Sequence, residues 1–222
     1  MQKRTSYLIS KAFKNYLGAS VLTVAATQVA NIADASIVGN LIGPEGLAAV
    51  NLSKPVIQAI YSITCLYMSS STILAGMAIG KGDKEKANKL FSFSLLVSLA
   101  LGAIIVVGGL GAFDALSDML CKSDNLRQLS NDFLFVTLLS TIPMMLMFTF
   151  HQFVTTDGSP KLISQAVIVG NIVNIGLDII LIKYANMGIK GAAWATFFMY
   201  VVCVLMVLPH FRKNFAFQDS NS

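Results

Sequence analysis

Charged side chains are scarce in this chain: Asp, Glu, Lys and Arg make up 12% of its 222 residues, against roughly 25% in soluble domains. So few charges exclude an ordinary water-soluble domain, whose surface is covered by them. Cysteine is equally thin. Cys65, Cys121 and Cys203 are dispersed, which excludes a disulfide framework, and with only two histidines there is no Cys/His cluster at zinc-site spacing. No H-E-x-x-H, nucleophile elbow or Walker sequence occurs, and Gly108, Gly109 and Gly111 are followed by no lysine that would make a phosphate loop. An enzyme is not expected, and neither is a cofactor beyond a transported ion.

What is present is apolar. Hydrophobic residues account for 55% of the chain and the mean hydropathy is +0.69. A spanning helix needs about 20 mostly apolar residues, and six such runs are legible: Leu17–Ile42, Pro55–Ile79, Leu90–Phe113, Phe133–Val154, Ile163–Ile182 and Gly188–Leu208. They are continuous, without the ten-residue alternation of a membrane β-barrel. The expected fold is an all-α membrane protein, a bundle of six transmembrane helices. Residues 1–16 form an amphipathic amino terminus, 17–208 the membrane lobe, and 209–222 a polar tail.

The basic residues orient the bundle. With six spans both termini lie on one side, which collects Lys3, Arg4, Lys11, Lys14, Lys81, Lys84, Lys86, Lys89, Lys161, Arg212 and Lys213; Lys54, Lys122, Arg127, Lys183 and Lys190 lie opposite. The positive-inside rule makes the termini cytoplasmic. The net charge of +5 is juxtamembrane, where it meets anionic headgroups, so the expected surroundings are the lipid bilayer and not nucleic acid. The first apolar run exceeds the 7–15 residues of a signal-peptide core and is expected to stay as a span.

Two acids, Asp34 and Asp178, interrupt this apolarity. An Asp at the centre of a spanning helix costs roughly 2.5–3.5 kcal/mol, and intramembrane acids mark ion or substrate pathways. Neither acid is alone. Thr27, Asn31 and Asp34 are spaced by four and three, and Asn171, Asn174 and Asp178 by three and four, so each set forms an oxygen-rich stripe on one helical face. Such stripes also join helices by hydrogen bonds, so Thr27, Asn31 and Asn171 are candidates for lining a cavity or for interhelical contact.

Depth follows from spacing. Asp34 precedes Gly43 by nine residues and Asp178 precedes Gly188 by ten, which puts both acids roughly 13–15 Å below their outer connections at 1.5 Å per residue. Thr196, eight residues after Gly188, descends roughly 12 Å on the next span. Asp34, Asn174, Asp178 and Thr196 are therefore expected in one layer. Their carboxylate, amide and hydroxyl oxygens suit a small hard cation, and two desolvated acids can also share a proton. Na+ and H+ both fit.

The stretches NIADASIVGNLIGPEGLAAV, GKGDKEKANKLFSFSL, TTDGSPK, NIVNIGLDIILI and GIKGAAWAT closely resemble, in order and spacing, the amino-terminal half of MATE transporters, the multidrug and toxic compound extrusion family. The resemblance implies an inner-membrane antiporter that expels cationic, amphipathic compounds against Na+ or H+. In similar bacterial and archaeal members the amino-terminal lobe carries a cation site of an Asp in the first helix, an Asn and an Asp four apart in the fifth, and a Thr in the sixth. These positions match Asp34, Asn174, Asp178 and Thr196.

The departure is in length: the family has about twelve spans in two lobes, and this sequence shows six. The resemblance therefore implies a partner, a second six-helix lobe from another copy or another chain. An incomplete or split-gene fragment without transport of its own is the alternative. A lipid-linked-sugar flippase of the wider superfamily is another, disfavoured because the only Lys or Arg within the six runs is Lys190, at the outer end of the sixth. Pro143 is expected to kink the fourth span, and Gly76 and Gly80 suggest a close helix approach.

Overall fold

The computed structural model describes residues 2–213, and these form a helical bundle. The helices are α1 (Gln2–Leu41), α2 (Pro44–Gly80), α3 (Lys84–Gly111), α4 (Phe113–Leu120), α5 (Asp124–Leu139), α6 (Thr141–Thr156), α7 (Pro160–Asp178), which continues into a π-helical stretch at Ile179–Tyr184, and α8 (Ile189–Lys213). Five are long and apolar enough to cross a membrane, and α5 with α6 makes a sixth, bent span. The chain is a multi-pass membrane protein. Its outer surface agrees: Leu66, Val107 and Ile32 are 75%, 72% and 68% exposed, a distribution suited to acyl chains and costly in water.

Local chemistry sets the helix ends. Pro44 and Pro160 open α2 and α7 at first-turn positions, where a missing N–H costs nothing. The Asp83 carboxylate accepts a 3.0 Å bond from the Lys86 backbone N–H and caps α3. Between α1 and α2, Gly43 adopts φ 102°, a conformation closed to residues with a Cβ.

Several boundaries depart from the sequence expectation. The second span does not begin at Pro55: α2 starts at Pro44 and runs through that proline, so the polar residues Asn51, Ser53 and Lys54 are helical. Lys54 is thus a basic residue inside a spanning helix, where the sequence places it in the connection before the second run. The fourth span is broken, with α5 and α6 meeting at Ser140 at an angle of 46°. Pro143 lies three residues beyond the break and supplies its cause, since it cannot donate to the Leu139 carbonyl. α1 runs through residue 16 as one helix, with its apolar span beginning at Tyr16, and the proposed polar tail lies, from residue 214 on, outside the described residues.

The core is built around α5 and α6, where Leu134, Met145, Phe153 and Val154 are buried to within 1%. Helix pairs are tied by hydroxyls. Ser98 of α3 stands 2.6 Å from the Thr149 hydroxyl and 2.7 Å from the Tyr67 hydroxyl, joining α2, α3 and α6. Thr23 of α1 and Ser164 of α7 are 2.9 Å apart, and Ser164 is also 2.9 Å from the Ala19 carbonyl. Close approach is made by glycines other than Gly76 and Gly80. A Cβ on Gly76 would meet only ordinary contact with Thr156 at 3.6 Å, and one on Gly80 would meet nothing within 4 Å. At Gly170 of α7 a Cβ would fall 2.5 Å from the Cys203 sulfur of α8.

At one end of the bundle the amino-terminal part of α1, the α6–α7 turn and the end of α8 come together. Tyr16 donates to the Thr155 carbonyl at 3.1 Å, and His210 Nε2 lies 3.0 Å from Asp157 Oδ2. This convergence is what an even number of antiparallel spans requires.

Candidate functional site

The α1–α7 contact brings the two acids together. Thr23 and Ser164 fix the register of the pair, and about three turns further along, Asp34 and Asp178 present their carboxyl groups to each other within interaction range. Asp178 is fully buried, at 0% exposure. Ionised carboxylates only accept hydrogen bonds, so neither can satisfy the other. Asp34 Oδ1 and both Asp178 oxygens are buried without a partner.

The rest of the α7 stripe is buried beside them. Asn171 and Asn174 are 8% and 6% exposed, and their amide nitrogens lack partners. A buried polar atom without a partner costs about 1–3 kcal/mol, and here five accumulate on two adjacent helices: three acceptors and two donors. Such a cluster fits a small cation held by carboxylate and amide oxygens, since an Asn side chain offers either its oxygen or its N–H2 by rotation about its last bond.

Helix geometry adds a feature that the sequence did not signal. Asp178 is the last α-helical residue before the π-helical stretch Ile179–Tyr184. A π turn is rare, wider than an α turn, and recurs at functional sites. Its stop signal is visible only afterwards, in Asn186 at φ 52° and Gly188 at φ 57°.

The remaining candidates are spread around this centre. Thr196 on α8 donates to the Ala192 carbonyl at 3.2 Å. It lines a small cavity of about 40 Å³ with Thr137, Ser140, Thr141 and Tyr200, and among the described residues no hydrogen bond joins it to the acids. Its hydroxyl oxygen keeps its lone pairs for another ligand. Thr27 donates to the Thr23 carbonyl at 2.9 Å, and Asn31, on the exposed side of α1, donates to the Gln28 side chain at 3.1 Å. The α1 stripe is thus largely occupied by local bonds, whereas the α7 stripe is buried and open. Lys54, which the sequence reading left outside the spans, acts electrostatically on Asp34.

Comparison with known proteins agrees with this architecture. The MatE family model matches residues 19–180. The multidrug export protein MepA of Staphylococcus haemolyticus is 30% identical over 179 residues, 80% of this chain and 39% of that protein. The probable multidrug resistance protein YoeA of Bacillus subtilis is 24% identical over 218 residues, 96% of this chain and 47% of its own length. Among solved structures, a MOP superfamily transporter from Pyrococcus furiosus, described as having a binding pocket of reverse polarity that suggests a different function, superposes with a TM-score of 0.86 at 27% identity. That match covers 95% of this chain and 48% of the other. The chain spans about half the length of the relatives it matches. With a family match over most of its residues and the same fold as half of a solved transporter, the chain belongs to the MatE family.

Proposed function

We propose that this chain is the cation-binding amino-terminal lobe of a multidrug efflux antiporter, driven by Na+ or H+. The observation that supports this most directly is the facing of Asp34 and Asp178, with three buried carboxylate oxygens that lack any donor. Two like charges in so apolar a place repel each other, and a cation or a proton between them removes that repulsion. Asn174, on the same face of α7, and Thr196, on α8, supply neutral oxygens to complete the shell. The coupling ion is cargo here, bound and released in every cycle.

Coupling then follows from which helices hold the acids. Asp34 belongs to α1 and Asp178 to α7, so an ion that bridges them draws the two helices together, and its loss lets them part. A drug that binds where the helices have parted, and an ion that binds where they have closed, exclude each other because each favours a different state. The drug site, for cationic amphipathic compounds, lies between this lobe and a second six-helix lobe of similar length. The ends of the bundle that carry Lys81, Lys84, Lys86 and Lys89 face the cytoplasm.

Replacement of Asp34 by Asn keeps the shape of the side chain and removes its charge. Expressed with the second lobe in drug-sensitive cells, the D34N variant should reach the membrane at wild-type level and confer no drug resistance. Wild-type resistance in that strain would refute the coupling role.

A further inference from the structure

Away from the acids, α1 and α7 flank a groove at the end that carries their amino termini. Lys14, Gly18 and Leu22 follow one another at intervals of four on α1, and Lys161, Gln165 and Ile168 at four and three on α7. These spacings put each trio on one face of its helix. The two faces line a common groove of about 330 Å³ with Ala19 and Ser164 at its floor. Both helices run in the same direction, so the walls are ordered alike: an ammonium group at the mouth, a small or polar residue next, and an aliphatic side chain roughly 10–12 Å deeper.

Three details indicate what occupies it. No acidic residue lines the groove, and among the described residues neither lysine is in an ion pair, so two cations face an uncompensated space. Gly18 has nothing within 4 Å of where a Cβ would stand, which leaves room for a chain between the helices. The floor is sealed, because the Ser164 hydroxyl is already engaged with Thr23 and the Ala19 carbonyl. We infer that the groove between α1 and α7 binds an anionic phospholipid, with its phosphate between Lys14 and Lys161 and one acyl chain laid over Gly18 towards Leu22 and Ile168. Such a lipid bridges the two helices that carry Asp34 and Asp178.

The test is native mass spectrometry of the full chain titrated with dioleoyl phosphatidylglycerol and, separately, dioleoyl phosphatidylcholine. The wild type should bind the anionic lipid more tightly. K14Q/K161Q should lose that preference, by about five-fold per lysine if each contributes as a basic residue at an anionic surface does, while K14R/K161R keeps it. G18L, which fills the groove and leaves both lysines in place, should weaken both lipids. An unchanged preference in K14Q/K161Q would overturn the proposal. So would displacement of phosphatidylglycerol by millimolar inorganic phosphate, which would make this a free-anion site. A lipid-free dimer that G18L dissociates would overturn it too, because a second copy would then cover the groove.

Discussion

Asp34 and Asp178 face each other across the α1–α7 contact, and three of their oxygens are buried and unpaired. A ligand that binds such a place only in the folded state stabilises the fold by RT ln(1 + [L]/Kd). The purified wild type should therefore melt later as its coupling cation is added, by about 2.7 kcal/mol at a hundred-fold excess over Kd. Asp34→Asn should melt at a temperature that the cation does not change. Running the series once with Na+ at fixed pH and once with pH at fixed K+ identifies the ion, and an equal shift in both proteins would remove the acids from the site.

Pro143 governs the break between α5 and α6. Pro143→Ala returns an N–H to the Leu139 carbonyl, and one helical hydrogen bond is worth about 1 kcal/mol. That is enough to shift a balance between bent and straight forms by about five-fold. Drug efflux by the complete transporter should slow accordingly with the amount of protein in the membrane unchanged. Undiminished efflux would mean that the 46° bend is fixed architecture and not a hinge.

α7 and α8 approach each other closely at Gly170, with the Cys203 sulfur 2.5 Å from where a Cβ would stand. Gly170→Ala should cost about 1–3 kcal/mol as the helices are forced apart. Because the clash is with the tip of one side chain, adding Cys203→Ala should restore part of the loss, and thermal melts of the two single variants and the double should depart from additivity by more than about 0.5 kcal/mol. Strict additivity would place the strain elsewhere, for example at Met199, 3.3 Å from the same position.

His210 of α8 and Asp157 of the α6–α7 turn close one end of the bundle. The pair is 3.0 Å apart, with the side chains 11% and 3% exposed. His210→Ala leaves a buried carboxylate with no partner and should destabilise the fold by about 1–3 kcal/mol. Asp157→Asn, which keeps a carbonyl oxygen for the imidazole, should cost less. Equal losses in the two variants, read by thermal unfolding in detergent, would mean that the bond contributes nothing beyond packing.

Much of this arrangement could be read from the chain alone, and the parts that could not share a physical reason. Hydropathy locates apolar runs, so the spans and the two misplaced acids were visible, and the three-and-four spacing put Asn171 and Asn174 beside Asp178. Hydropathy does not report where a helix stops. Hydropathy alone therefore starts the second span at Pro55, with Lys54 outside it, although α2 begins at Pro44. Spacing places Asn31 in a stripe with Asp34, yet it pairs with Gln28 on its own helix. Glycine pairs suggested an approach at Gly76 and Gly80, whereas contact across helices fell at Gly170, because which neighbour a helix meets is a property of the whole bundle.

The widened turn after Asp178 has a consequence of its own. An α-helix advances about 100° per residue, and a π turn takes in one residue more than an α turn, so α7 carries surplus chain between Ile179 and Tyr184. Were that surplus to migrate by one turn towards the amino terminus, the carboxyl of Asp178 would swing through about 100° while both ends of the helix stayed anchored. A rotation of that kind needs no rigid-body tilt of the lobe; it works like slack passed along a rope.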